Sequence, residues 1–169
     1  MKSIQRTAIT LAALSTLFAV PAFAQDDYSG VYKATYSKQE AMPINGPKGH
    51  VMVLSSAQAT NKSTGKASYF DDGNVVVQDV IDIVNGNGTH EGYITFSDKI
   101  GERTVHRLNG KVVTVMAPDG KTPLTTVEGT FEQVFGTNLY GTLKPVGTYK
   151  TRMLSPTEYE SEWKVTKFN

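Results

Sequence analysis

Beyond Ala24, apolar and polar residues alternate along most of the chain, and clusters of Gly, Asn, Asp and Pro interrupt the alternation. A period of two with turn signals roughly every 8–12 residues predicts short antiparallel strands in a barrel or a sandwich. No helical periodicity of useful length is present. The punctuation falls at Asn61–Gly65, Asp71–Gly73, Asn85–Gly88, Asn109–Gly110, Pro118–Gly120 and Leu154–Thr157. Asn-Gly and Asp-Gly pairs favour the positive-φ turns that join hairpin strands. The segment Gln39 to Gly49, with its Pro and Gly residues, predicts a long irregular loop.

Two hairpins have a predictable register. In the last one, Tyr149, Thr151 and Met153 alternate with Lys150 and Arg152, and Tyr159, Ser161, Trp163 and Val165 alternate with Glu158, Glu160, Glu162 and Lys164. A three- or five-residue turn around Ser155-Pro156-Thr157 sets Met153 opposite Tyr159 and Tyr149 opposite Trp163. It also sets Arg152 opposite Glu160 and Lys150 opposite Glu162. Apolar neighbours then share one face and opposite charges the other, which a two-residue turn would forbid. In the hairpin around Asn85–Gly88, Val77, Asp79, Ile81 and Ile83 share a face. A two- or four-residue turn brings Phe96, Ile94, Gly92 and His90 opposite them.

The N-terminus changes the picture of where such a domain works. Lys2 and Arg6 precede an almost wholly apolar run from Ala8 to Val20, then Pro21 and Ala22-Phe23-Ala24. A basic start, a short apolar run and an A-x-A site predict a signal peptide over residues 1–24, cleaved after Ala24. The run is too short for a comfortable span of about 20 residues. No second run follows, so no membrane span is expected and the location is predicted to be periplasmic or secreted. Residues 25–169 then form a single domain, within the usual range of about 100–200 residues.

Composition removes several classes. The formal net charge is +1 and basic residues are scattered among acids, so no nucleic-acid partner is expected. With no cysteine, the chain has neither disulfides nor a thiolate for zinc, haem or an iron–sulfur cluster. There is no Gly-x-Ser-x-Gly elbow, P-loop or dinucleotide fingerprint between a strand and a helix, and no cofactor is expected.

From Asp72 onward a further order of motifs emerges. Asp72-Gly73-Asn74 leads into a strand from Val75 to Val84, and a second strand is centred on Glu91-Gly92-Tyr93. Gly129-Thr130-Phe131, the run Phe135 to Thr142, Gly147-Thr148-Tyr149 and a closing strand with Glu162-Trp163 follow. This order resembles the small secreted bacterial proteins of the allene oxide cyclase-like barrel group, related in fold to dirigent proteins and the calycins. The central run lacks that group's usual Gly-Thr-Gly-Lys form. The resemblance implies an all-β fold, an up-and-down antiparallel barrel of about eight strands, wide enough to be filled by side chains or to hold one small ligand. It carries over no catalytic residue and does not choose among enzymes, stereochemical guides and proteins of no known activity.

The candidate chemistry is sparse. His50, His90 and His106 lack the spacing of a metal motif, and no metal is expected. Asp79 and His90 are the two polar groups on an otherwise apolar hairpin face. They are candidates for a catalytic acid–base pair in a cavity, or for a structural hydrogen-bonded pair, unless a local bulge turns Asp79 outward. Tyr32, Tyr36, Tyr149, Met153, Tyr159 and Trp163 are candidates for the wall of an apolar ligand pocket, or simply fill the interior. The first expectation is an exported barrel that binds a small, largely apolar molecule. The alternative is a cofactor-free isomerase, cyclase or lyase of the same shape. A third is a filled barrel with a structural or interaction role, for example as a homo-oligomer.

Overall fold

The computed structural model describes residues 27–66 and 68–169. Residues 1–24, read above as a signal peptide, lie outside the described residues. Eight antiparallel strands follow in sequence: β1 (Ser29–Pro43), β2 (His50–Ser63), β3 (Asn74–Val84), β4 (Asn87–Ser97), β5 (Arg103–Met116), β6 (Pro123–Gly136), β7 (Pro145–Met153) and β8 (Glu158–Phe168). A five-residue helix, α1 (Asn138–Thr142), sits between β6 and β7. Each strand pairs with its successor, and β8 pairs with β1. The choice between barrel and sandwich is thereby settled as a closed up-and-down barrel. Closure leaves no sheet edge unpaired, an asset to a chain without cysteine.

Both hairpin registers match the alternation. Met153 pairs with Tyr159, Tyr149 with Trp163, Arg152 with Glu160 and Lys150 with Glu162. In the β3–β4 hairpin, Val77 pairs with Ile94, Asp79 with Gly92 and Ile81 with His90. Its turn is Asn85-Gly86, both at positive φ, the two-residue form that suits the twist of paired strands.

Two segments depart from the sequence expectation. The first is Gln39–Gly49: β1 continues through Pro43, and only residues 44–49 form the loop. A bulge at Ser37 shifts the β1–β2 register, so the alternation restarts one residue late and Gln39 comes opposite Ser55. The second is Asn109-Gly110, which lies in the middle of β5 and not at a turn. There Gly110 faces the interior between His90 of β4 and Gly129 of β6.

The two ends of the barrel differ. At one end the segment between β2 and β3 folds back as a plug. Tyr69 and Phe70 are buried there, and Phe70 stacks on Tyr140 of α1 with ring centroids 4.4 Å apart. Asn61 fixes this plug: its Nδ2 donates to the carbonyls of Tyr69 and Phe70 at 3.0 and 3.1 Å, and its Oδ1 accepts from Trp163 Nε1 at 2.9 Å. The interior beneath the plug is close to solid, with a void of about 20 Å³ among residues such as Tyr32, His106, Phe131 and Trp163. The opposite end is open.

Candidate functional site

The open end leads to a cavity of about 210 Å³. Its apolar wall comes from Val53, Ile81, Ile83, Val112, Val127 and Met153, each the inward residue of an alternating strand. Tyr36 and Tyr159 stand on adjacent strands of the same wall, with ring centroids 5.1 Å apart. Gln39 is exposed at the mouth, whereas Asp79 and His90 are buried at the depth of the cavity.

Asp79 and His90 meet despite their offset along the hairpin. His90 Nε2 lies 2.9 Å from Asp79 Oδ2. The other ring nitrogen, Nδ1, lies 2.7 Å from the Tyr149 hydroxyl. Ser55, directly across from Asp79 on β2, donates to Asp79 Oδ1. These four side chains form a continuous line, Ser55–Asp79–His90–Tyr149, spanning β2, β3, β4 and β7. With the Tyr149 phenol donating to Nδ1, the imidazole keeps its proton on Nε2 and donates it to the carboxylate, so each bonded atom has a matching role.

Glycines make the line geometrically possible. Tyr149 on β7 must cross β6 and β5 to reach His90 on β4. The inward positions it crosses are Gly129 and Gly110. A methyl group built on either would overlap the Tyr149 hydroxyl. The mid-strand Gly110 therefore serves this approach and not a turn.

The phenols around the site remain protonated donors. Burial pushes Tyr159 far up, helped by the neighbouring phenols of Tyr32 and Tyr36 and by the Asp79 carboxylate. Tyr36 and Tyr149 are also raised, first by burial, with Asp79 adding to each. Tyr32 is pushed up to about 12 by burial, against a bond to Ser161 that pulls it down.

The six aromatic and Met candidates divide between two layers. Tyr36, Met153 and Tyr159 line the open cavity with Asp79 and His90. Tyr32, Tyr149 and Trp163 face the nearly solid compartment beneath it. Trp163 there braces the plug through Asn61, and Tyr149 reaches the site only through its bond to His90. The three histidines do not gather: His50 pairs with Asp82 on the outer surface at 2.6 Å, and His106 lies buried in the lower compartment. Sequence reasoning missed Ser55 and Gln39. Ser55 was readable only with the β2–β3 register in hand, and Gln39 only with the bulge.

Comparison with family models, with curated proteins and with solved structures returned no match.

Proposed function

We propose that this protein binds a small, largely apolar molecule in the open end of its barrel. The observation that carries this reading is the asymmetry of the interior. One end is packed almost solid, while the other keeps a cavity of about 210 Å³ with apolar walls and a few convergent polar groups at its depth. A barrel with only a structural role has no need of the difference. The export signal and the resemblance to the allene oxide cyclase-like group belong to the same proposal: a released barrel that meets its ligand outside the cytoplasm. The hydrogen-bonded Asp79 favours a second reading, a cofactor-free isomerase, cyclase or lyase. A lone buried carboxylate is costly unless it is bonded, and here it is held in place at the cavity floor.

Titration with N-phenyl-1-naphthylamine, a neutral apolar fluorophore, tests binding. The wild-type protein is expected to raise its fluorescence saturably. Val112→Trp places an indole in the cavity and should weaken uptake at least about tenfold, since a filled site lacks the apolar area that drives association. Equal uptake by the two proteins would remove the cavity from the account. Native mass spectrometry of protein purified from its own host then shows the mass of any molecule retained.

A further inference from the structure

The polar groups that face the cavity differ in what they still have to offer. Asp79 accepts from Ser55 and His90 and retains free lone pairs. Both ring nitrogens of His90 are engaged. The Tyr36 hydroxyl has only a 3.9 Å contact with Met153 Sδ, and the Tyr159 hydroxyl makes no hydrogen bond among the described residues. The cavity therefore presents one carboxylate, the free Tyr159 phenol and a Tyr36 phenol held only by a weak bond to sulfur, with Gln39, Thr125 and Thr151 as the other polar residues of its lining besides His90. Donors of that kind call for an acceptor oxygen on the ligand.

Resting on the binding reading above, we propose that the cavity takes an apolar ketone and moves a proton on it. Asp79 is the base, and Tyr159 with Tyr36 hold the carbonyl oxygen. The carboxylate removes a proton from the carbon next to the carbonyl. The C–H electron pair becomes the new carbon–carbon double bond, and the carbonyl π pair moves onto oxygen, where the phenols donate to it. The proton now on Asp79 returns to the same carbon, or to a carbon two atoms further when the ketone is unsaturated. The second course migrates a double bond. Nothing is oxidised or reduced, and the carboxylate is regenerated. Water competes poorly for Asp79 because its side chain is only 5% exposed. Ser55, His90 and Tyr149 touch no reacting atom in this scheme. They are positioning residues that hold the carboxylate toward the cavity.

The experiment follows deuterium uptake by 2-tetralone, a bicyclic apolar ketone, in D2O by proton NMR, with binding read separately by saturation transfer. Wild-type protein should speed exchange at least about a hundredfold over buffer, the ordinary reach of a positioned base. Asp79→Asn keeps the hydrogen-bonding shape and should return exchange to the buffer rate. Tyr159→Phe should lose about a hundredfold while 2-tetralone still binds, as expected for the loss of one donor to a developing oxyanion. His90→Gln should shift the pH profile of exchange, which a merely structural residue would leave in place. Binding of 2-tetralone with equal exchange in wild type and Asp79→Asn overturns the proton-transfer inference and leaves the binding reading standing. No binding of 2-tetralone overturns the ketone inference, and the binding reading falls only if N-phenyl-1-naphthylamine is not taken up either. Should Asp79→Asn fail to fold by circular dichroism, Tyr159→Phe decides, and unaltered exchange in it overturns the assignment.

Discussion

His106 sits wholly inside the barrel, 1% exposed, and its imidazole makes one hydrogen bond, between Nε2 and the Thr104 hydroxyl at 3.0 Å. Its Nδ1 meets no partner among the described residues. Burial disfavours the imidazolium and holds its pKa down at about 3, against an ordinary value of 6.5. The folded protein thus keeps His106 neutral where the unfolded chain has already taken up a proton. Stability must fall as pH drops from 6.5 toward about 3, by about 1.4 kcal/mol per pH unit for the one proton. His106→Gln keeps a partner for Thr104 and cannot titrate. Urea unfolding of the two proteins between pH 7 and pH 4 should show the variant losing stability less steeply, by about that slope. Parallel curves would mean that the imidazole is reached by water or by an acceptor when charged.

Strand positions carry the next set of consequences. Gly110 in β5 has no room for a methyl group, because the Tyr149 hydroxyl and the Glu128 carbonyl both crowd it. Gly110→Ala should cost about 1–3 kcal/mol by overpacking. Removing the hydroxyl in the Gly110→Ala, Tyr149→Phe double variant should return part of that cost, leaving the carbonyl's share. Full additivity in denaturant unfolding would deny the contact. The β7–β8 hairpin offers a contrast in scale. Arg152 makes an ion pair with Glu160 at 2.7 Å on the outer surface, with 64% of the Arg side chain exposed. Arg152→Ala should cost no more than about 0.5 kcal/mol. Trp163→Ala on the inner face should cost about 3–5 kcal/mol, since it empties packing and frees Asn61 from its bond. This hairpin was the most legible part of the chain, because two independent patterns agreed: aromatics alternate inward, and charges pair outward in one register alone. The β3–β4 hairpin was legible from its apolar alternation and its Asn/Gly turn alone, down to the placement of Asp79 and His90 on an apolar face. Gly110 was not, because a glycine that makes way for a side chain from two strands away looks, in sequence, like a turn. Nor was the Tyr149–His90 bond, which joins residues 59 positions apart. The tyrosines looked like one wall because alternation assigns a face and not a depth along the barrel axis. Depth put Tyr36 and Tyr159 in the cavity, and Tyr32, Tyr149 and Trp163 below it.

On the scale of the whole molecule the barrel is a cup whose two ends do different work. The plug end is held from several sides. Phe70 adopts φ +49°, a conformation unfavourable for an aromatic residue, and Asn61 bonds its carbonyl and that of Tyr69. Such backbone persists only when its surroundings over-determine it. Between plug and cavity lies a closely packed layer that includes Tyr32, Leu108, Phe131 and Trp163, with almost no free volume. A packed layer supports what lies above it without needing to change shape. Phe70→Ala should therefore cost about 3–5 kcal/mol of stability, as a large side chain lost from a buried site does. It should leave the affinity for N-phenyl-1-naphthylamine within about twofold, because no residue of the plug lines the open cavity. Val112→Trp should show the opposite pair of results, with weak uptake and a fold that still melts cooperatively. Urea unfolding and fluorescence titration of both variants place each on two axes. Loss of affinity in Phe70→Ala comparable to that in Val112→Trp, under conditions where both remain folded, would show that the packed layer transmits strain from end to end. The plug would then be part of the binding device and not only the bottom of the cup.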